Sequence, residues 1–449
     1  MTEQKDVSQY FGNLLFPNIF KLFRIAIQPG RIMTAFLALA IIFIAGWIMD
    51  FSKTVVVSSR VTQRQLRSSA MTGSISWPTE LHCFVNSPER TDDFIKMYKD
   101  RGAKAGVFQV WSSFCMGRFN TAAVSLAILR FDNFITSVTE CIAACVWVIK
   151  YHIVYGIILF FISLLAFSVT GGAICRGAAL SFSKDESAGI TKCIKFSLKK
   201  FLSFFFSPLA PVILVASLGL FFLLLGLIAN IPWVGEIIMA VGLIFLLFIG
   251  MIMTFTIIGA VAGANLMFGA IAYEAMDTFD AISRSFNYVR FRPWRLAFYS
   301  FLAAIYGAIC YLFVRFCAFV LLAMSRWFLT FTMWKTASKA VQFNELEVLW
   351  PKPEFFNLLG NGLDVSKSST ESIAAFILYF IVLVIAGLVV SFAVSFYFSS
   401  GTVIYCLLRN KADNIPLDSI FIETEQVENK HPENSEQSSV QSGQTQDSQ

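Results

Sequence analysis

Acidic and basic residues are scarce in this chain of 449 residues, and a few of them stand where they could do chemistry. Glu274, Asp277 and Asp280 follow one another at intervals of three residues, and Arg284 comes four residues after Asp280. On one helix this spacing places the three carboxylates along one side, which predicts an entry site for an ion or other cation. The alternative interpretation, which we favour, is that the acids stabilise a helix N-terminus and that Asp280 pairs with Arg284.

Arg315 is the single charged residue within a long apolar segment. A charge inside a membrane indicates a functional site by default, because burying it unpaired is costly. Counting from Trp294 places Arg315 near the outer end of its span, where a long side chain can snorkel to the surface. Glu236, beside the turn between two other spans, is its predicted partner. We favour snorkelling or a structural pair over a substrate role.

Other chemical motifs are scarce. Gly259 and Gly263 form a GxxxG pattern, which predicts close helix packing within the bundle rather than between two chains. The three histidines are scattered, and the chain contains no HExxH, P-loop or GxSxG pattern. The sequence therefore predicts no catalytic residue, no metal site and no cofactor, and we do not expect an enzyme.

The composition decides the class of protein. Hydrophobic residues make up 56% of the chain and charged residues 14%, and the mean hydropathy is +0.67. An average soluble domain carries about a quarter charged residues, so an ordinary cytosolic enzyme is excluded. Long apolar runs predict an all-α, multi-pass integral membrane protein with about six transmembrane helices. No basic stripe with interleaved aromatic residues suggests nucleic-acid binding.

The apolar runs divide the chain into five predicted regions. They are a cytoplasmic segment with an amphipathic helix on the membrane surface (1–32), a first transmembrane helix (33–51), an extracytoplasmic subdomain (52–150), a bundle of five further transmembrane helices (151–409) and an acidic, disordered tail (410–449). The last apolar run, 373–408, is longer than a bilayer requires. It is either one projecting helix or a helix broken near Gly401.

Charge in the short loops predicts the orientation. Residues 176–200 contain six Lys or Arg and residues 274–295 contain four, whereas the turn at 230–235 has none. Cytoplasmic loops carry such an excess, so both termini are expected in the cytoplasm, and a bacterial inner membrane is the expected location. Lysine-rich segments at that face are expected to contact anionic lipids of the bilayer. The tail, with a net charge of −6 over residues 410–449, is a candidate tether for protein partners.

The nine cysteines contain no CxxC pattern, and no histidine lies at metal-site spacing from them. Cys83 and Cys115 both fall in the predicted outer subdomain. A disulfide between them is compatible with that location, and the sequence leaves it open.

Two parts of the membrane bundle are similar at an offset of 92 residues. Gly171 aligns with Gly263, Gly177 with Gly269, Asp185 with Asp277, and Lys192 with Arg284. In each part a glycine-bearing span leads into an amphipathic helix, and a further span follows. This pattern predicts an internal duplication, which occurs in transporters and in scaffold proteins alike.

The segment from Tyr273 to Ser285 and the turn from Ile231 to Gly235 resemble a broad group of bacterial multipass membrane proteins. That group is similar to the membrane domain of membrane-anchored glycerophosphodiester phosphodiesterases, and the resemblance covers roughly residues 153–410. The regions outside the predicted spans are about 100, 46 and 40 residues long, whereas the catalytic barrel of those enzymes needs about 250. The resemblance therefore implies a similar membrane fold and no catalytic residues.

Three functions remain open at this point. The first is a non-enzymatic membrane organiser or assembly protein, indicated by the acidic tail and the projecting cytoplasmic helices. The second is a transporter or lipid-handling protein, indicated by the duplication and by Arg315 with Glu236. The third is a membrane enzyme acting on lipid headgroups through polar residues of the 52–150 region. We rank them in that order.

Overall fold

The computed structural model describes residues 16–57, 79–99, 103–186, 189–231, 235–332, 346, 349–360 and 369–421. Within these ranges the chain is almost entirely helical, which confirms the predicted all-α class. The helices are α1 (Leu22–Ala26), α2 (Pro29–Met49), α3 (Glu80–Asn86), α4 (Thr91–Tyr98), α5 (Val107–Ala127), α6 (Phe131–Tyr151), α7 (Ile153–Lys184), α8 (Ile190–Lys199), α9 (Phe201–Ala229), α10 (Gly235–Glu274), α11 (Thr278–Phe291), α12 (Pro293–Thr332) and α13 (Ser369–Asp413). Strands β1 (Val55–Val57) and β2 (Ala103–Ala105) pair antiparallel, with Val55 opposite Ala105.

Seven helices of the described chain are long and apolar enough to cross a membrane: α2, α6, α7, α9, α10, α12 and α13. The protein is therefore a multi-pass membrane protein, as its composition predicts. The sequence predicted six spans, and the additional one is α6. It falls inside the range that we assigned to an extracytoplasmic subdomain, 52–150.

Helices α5 and α6 form a hairpin that lies along α12. The phenol of Tyr311 on α12 donates to Asn120 Oδ1 on α5 at 2.8 Å, and the rings of Phe131 and Phe301 are 5.9 Å apart. As the chain advances from Asn120 to Phe131, its contact on α12 moves back from Tyr311 to Phe301. Helix α5 therefore runs antiparallel to α12. Much of the 52–150 region thus packs along the bundle and extends its helical architecture.

The hydrophobic core lies mainly at one end of the bundle, where α7, α10 and α13 terminate and where α8 and α11 pack. We name this end the Glu274 end, and the opposite end, near the last turn of α2, the Asp50 end. Helix α13 is central, because α1, α2, α7, α10 and α12 all contact it. The most apolar stretches of α9 and α10, by contrast, are not buried within the protein. In a bilayer these surfaces face lipid.

Helix α13 runs without a break from Ser369 to Asp413, 45 residues, so the alternative of a break near Gly401 is wrong. At 1.5 Å per residue its length is about 68 Å, more than twice a hydrocarbon core of about 30 Å. Its last turns lie in the core of the Glu274 end, where Val403, Tyr405 and Leu407 are fully buried. The residues of α13 beyond its most apolar part therefore pack in the core of the Glu274 end.

The N-terminal segment differs from the predicted surface helix. Residues 10–15 lie outside the described part, Phe16–Lys21 is a 3-10 helix, and α1 adds only five residues. Its apolar side chains, including Ile19, Leu22 and Ile25, are buried against the bundle, and Ser395 of α13 donates to Ala26 O at 2.8 Å. The apolar face of this N-terminal segment is covered by α12 and α13. Its amphipathic pattern is therefore explained by packing against these helices.

Two helix boundaries recur at a separation of 92 residues. Helix α8 ends at Lys199 and α11 ends at Phe291, while α9 begins at Phe201 and α12 at Pro293. In both places one basic residue, Lys200 or Arg292, separates the short helix from the long one.

Glycines allow α10 to approach its neighbours closely. A Cβ at Gly259 would lie 3.0 Å from the Phe286 ring, and one at Gly263 would lie 3.4 Å from Ser285 Cβ. The GxxxG pair therefore faces α11 of the same chain. The approach to α13 at Gly269 is closer still, because a Cβ there would lie 2.9 Å from Tyr405 Cβ and 3.1 Å from Thr402 Cα.

Replacement of Gly269 by alanine should destabilise the protein by about 1–3 kcal/mol, because the added methyl group meets backbone of α13 that cannot rotate away. Gly226→Ala is the matched control, since a Cβ at Gly226 meets nothing within 4 Å. Thermal unfolding of both variants in detergent measures the difference. Equal unfolding temperatures would show that α10 and α13 do not approach at Gly269.

Candidate functional site

The chain breaks just after α10, and the break places Glu274 apart from the acids that follow it. Glu274 is the last residue of α10, Ala275 adopts a left-handed conformation (φ 53°), and Asp277 is the extended N-cap residue of α11. Glu274, Asp277 and Asp280 therefore do not line one helix side, and that prediction is wrong. The reason is that the amphipathic pattern continues through residues 275–277, which form a linker between α10 and α11.

Glu274 lies at the centre of a polar cluster, which we name the Glu274 cluster: Glu274, Arg284, Tyr288, Tyr405, Arg409 and Asp413. Arg284 Nη1 lies 3.0 Å from each carboxylate oxygen of Glu274. The phenol of Tyr405 donates to Glu274 Oε1 at 2.8 Å, and Arg409 Nη1 lies 3.4 Å from the same oxygen. One carboxylate therefore joins α10, α11 and α13.

Arg409 is the most buried charge of the Glu274 cluster, with 3% of its surface exposed. Its guanidinium lies 5.4 Å from the centre of the Tyr273 ring, and Nη2 donates to the carbonyl oxygen of Ser419 at 2.6 Å. A buried cation needs a counter-charge and hydrogen-bond acceptors to be tolerated. Glu274 and Ser419 supply both.

Asp413 closes the cluster on the side of α11. Tyr288 donates its hydroxyl proton to Asp413 Oδ2 at 2.6 Å, and Arg284 Nη1 lies 3.9 Å from the same oxygen. Burial and the hydrogen bond to Asp413 raise the pKa of Tyr288 above its ordinary value of 10. Burial lowers the pKa of Arg284, but Glu274, Tyr405 and Tyr288 together outweigh burial, so the pKa of Arg284 is raised above its ordinary value. Both groups therefore hold their protons at neutral pH.

Residues 414–421 fold back onto the bundle next to the Glu274 cluster, and we name them the C-terminal strap. The amide of Phe421 donates to Tyr273 O at 3.0 Å. Arg176 of α7 binds the carbonyl oxygens of Ala272 and Phe421 at 2.7 and 2.6 Å. The strap thus belongs to the folded core, and the prediction of disorder from residue 410 is wrong for 410–421. Residues 422–449 lie outside the described part.

The remaining predicted acids lie at the rim of the same end. Asp277 is exposed and pairs with Lys200 at 3.2 Å, which links the two corresponding helix breaks. Asp280 is exposed in the first turn of α11, and Arg284 pairs with Glu274 rather than with Asp280. Asp277 and Asp280 are placed where they complement the helix dipole of α11.

Arg315 lies in a separate site towards the Asp50 end. Only 5% of it is exposed, so it does not snorkel. Its Nε and Nη2 donate to the carbonyl oxygens of Phe355 and Phe356, each at 2.7 Å, and Nη1 lies 3.1 Å from Asn120 Oδ1 and 2.9 Å from the Tyr311 hydroxyl. Residues 349–360 therefore cover the guanidinium. Glu236 belongs to α10, and its side chain lies outside the described part.

Other polar contacts organise the Asp50 end. The carboxylate of Asp50 accepts the amides of Phe108 and Gln109 at 2.9 Å each and thereby caps the N-terminus of α5. The buried carboxylate of Glu80 accepts the indole N–H of Trp147 at 3.2 Å. Cys83 and Cys115 are both free thiols in the structure, so the disulfide that the sequence left open is not formed.

Sequence reasoning missed three arginines at the Glu274 end. Arg31 is the only charged residue of α2, Arg409 ends the long apolar run of α13, and Arg176 lies near the end of α7. The signal was present in each case, since a single charge in an apolar helix is costly unless it is paired. The partners were not readable, because they are mostly backbone carbonyls from distant segments.

The polar contacts of the Glu274 cluster hold α10, α11 and α13 together. Its arginines and phenols pair with its carboxylates, and among the described residues no group of three or more His, Cys, Asp or Glu could hold a metal ion. No protein-family profile, curated protein or solved structure matches the chain. The resemblance to the membrane domain of glycerophosphodiester phosphodiesterases therefore stays a prediction.

Proposed function

We propose that this integral membrane protein is a non-enzymatic organiser or assembly protein that presents its acidic C-terminal tail, residues 422–449, to protein partners. The observation that carries the proposal is the docking of the C-terminal strap. Arg176 and Arg409 each bind a strap carbonyl, and Phe421 pairs with Tyr273 by a backbone hydrogen bond. The tail therefore starts from a fixed point on the folded core.

The lysines and arginines of the Glu274 end support an orientation in which this end and both termini face the cytoplasm, in a bacterial inner membrane. Both termini on one side require an even number of crossings, so in this orientation α5, the 21-residue hairpin partner of α6, crosses the membrane together with it. Helix α8 carries Lys192, Lys195 and Lys199, and α11 and its flanks carry Arg284 and Arg290. Basic residues are retained on the cytoplasmic side of membrane proteins. In this orientation the tail reaches soluble as well as membrane partners.

An internal duplication is part of the proposal. The coinciding ends of α8 with α11 and starts of α9 with α12 support it, and so does a matched pair of acids. Asp185 and Asp277, 92 residues apart, each follow the end of a long helix, and they pair with Arg24 at 2.5 Å and with Lys200 at 3.2 Å.

Native co-purification in mild detergent tests the proposal that the protein is an organiser. The full chain should retain a reproducible set of proteins that a chain ending at Phe421 loses, because the strap remains while the tail is removed. A full-length variant with Glu423, Glu425 and Glu428 replaced by glutamine shows whether the partners require the negative charge of the tail or only its length. Identical protein sets from the full and shortened chains, or no reproducible protein from either, would contradict the proposal.

Lipid handling is the second candidate, and the exposed hairpin α9–α10 favours it. The apolar stretches of both helices pack on each other and not within the rest of the protein, so they present a large surface to the bilayer. Mass spectrometry of the lipids in the same purification distinguishes the two candidates. Enrichment of one lipid class without any protein partner would favour lipid handling.

A further inference from the structure

A cavity of about 520 Å³ lies at the Glu274 end, between the start of α2, the last third of α7 and the start of α8. Its wall includes Gly30 and Arg31 from α2, Gly177 from α7, and Gly189 and Cys193 from α8. Of the three glycines, Gly189 faces open space, whereas a Cβ at Gly30 would lie 2.7 Å from Ile190 Cγ1 and one at Gly177 would lie 3.1 Å from Arg31 Nε. The cavity is separate from the Glu274 cluster, none of whose residues line it.

Arg31 is the charged residue of this cavity, and 6% of it is exposed. Its guanidinium donates to the carbonyl oxygen of Ile25, to Gly177 O at 2.7 Å and to Ser181 Oγ at 2.5 Å, all of which are neutral groups. Among the described residues no carboxylate pairs with Arg31. The nearby Asp185 pairs with Arg24.

One donor of Arg31 is left for a ligand. The described part of the chain shows no acceptor for its Nε–H, and Nε lies 3.1 Å from the position that a Cβ of Gly177 would take, on the cavity wall. Burying a cation without a counter-charge is costly, so an anion in the cavity would relieve the cost. The Cys193 thiol is not that anion, because burial raises its pKa above 9.0.

The backbone around the cavity also favours an anion. Pro29 and Gly30 begin α2, and Ile190 begins the ten-residue helix α8 after its N-cap residue Gly189. Neither helix has a side-chain hydrogen bond at its N-cap. Pro29 has no N–H, and the amides of Arg31 and Lys192 donate to the carbonyl oxygens of Gln28 and Gly189. The first-turn amides left for a ligand are therefore those of Gly30 in α2 and of Ile190 and Thr191 in α8. Helix N-termini bind phosphate groups through such N–H groups and the helix dipole.

We propose that this cavity binds a phosphate group, which Arg31 Nε and the N-termini of α2 and α8 hold. The apolar wall formed by Ile174 and Ile190, and the position of Arg31 in the first turn of a membrane-spanning helix, fit the headgroup of an anionic phospholipid. Free inorganic phosphate carries the same chemistry and is the other source. The site is independent of the tail and of its partners.

Native mass spectrometry of the delipidated full-length protein tests the site, with phosphatidylglycerol, phosphatidylcholine and inorganic phosphate as separate probes. Gly189→Leu places a side chain on the cavity wall at a position where a Cβ meets nothing within 4 Å and φ is −60°. Gly226→Leu is the matched control, since Gly226 is equally open and does not line the cavity. Arg31→Gln removes the charge and is measured as a second variant.

We expect Gly189→Leu and Arg31→Gln to weaken phosphatidylglycerol binding at least tenfold, and Gly226→Leu to leave it unchanged. Binding of phosphatidylglycerol over phosphatidylcholine identifies a lipid headgroup as the source. Binding of inorganic phosphate with the same dependence on Gly189 identifies free phosphate. If neither anion binds, or if Gly189→Leu binds both as the unmodified protein does, the phosphate site is overturned whether or not Arg31→Gln folds.

Discussion

Replacement of Glu274 by alanine should lower the free energy of unfolding by about 3–5 kcal/mol, the cost of breaking a buried ion pair by removing one partner. The loss is large because one carboxylate serves three donors, from Arg284, Arg409 and Tyr405. Arg409, which is almost fully buried, would retain its charge without a carboxylate. Titration with a denaturing detergent measures the unfolding.

Asp280→Ala is the matched control for this substitution. Asp280 is an acid of the same end, but it is exposed, and no ion pair of it is found among the described residues. It should change stability by less than about 0.5 kcal/mol, as surface substitutions usually do. Glu274→Gln should fall between the two, because the amide still accepts from Tyr405 but cannot neutralise an arginine. Equal stability of Glu274→Ala and Asp280→Ala would show that the Glu274 cluster does not hold α10, α11 and α13 together.

The second large effect is expected at Arg315. Its replacement by alanine leaves the carbonyl oxygens of Phe355 and Phe356 without their donor in a buried site and removes one of the two donors to Asn120, which costs about 2–4 kcal/mol. The segment that covers Arg315, residues 349–360, should then become sensitive to protease. Lysine at this position keeps the charge but lacks the planar fork that reaches both carbonyls, so it should rescue only part of the loss.

Arg290→Ala provides the comparison for Arg315, because Arg290 is exposed on α11 and its guanidinium lies over the neighbouring Phe291. Thermal unfolding in detergent, with protease cleavage in 349–360 as the second readout, distinguishes a buried anchor from a surface charge. If Arg315→Ala unfolds like Arg290→Ala and residues 349–360 stay protected, Arg315 does not hold that segment.

The sequence is sufficient to predict the class of fold, because apolar runs long enough for a bilayer are a local property. It also predicts an amphipathic helix at α8 and another at α11, although the helix predicted at α8 (182–201) begins eight residues before the observed start at Ile190. It predicts a helical stretch at α6 but does not count it as a span, because the run from Phe131 to Tyr151 contains Asp132, Glu140 and Lys150 and so is only moderately apolar. It also extends α11 back to Glu274, because no proline or glycine marks the linker at 275–277.

The site is less predictable than the fold, for a physical reason. Glu274 and Arg284 stand out in the sequence, but Tyr405, Arg409 and Asp413 join them only through the packing of α13 on α10. The partners of Arg315 and Arg31 are carbonyl oxygens and neutral side chains, such as Asn120 and Ser181, which carry no pattern. Backbone acceptors of this kind exist at every residue, so only the fold selects among them.

A tail presented from a fixed point requires a docked C-terminal strap, and hydrogen exchange of the Phe421 amide measures this docking directly. Because this amide donates to Tyr273 O beside Arg176 and Arg409, it should exchange slowly in the full-length protein. In Glu274→Ala its exchange should accelerate towards that of a free chain, while the middle of α13 stays protected. Rapid exchange at Phe421 in the unmodified protein would contradict a docked strap and, with it, a tail presented from a fixed point.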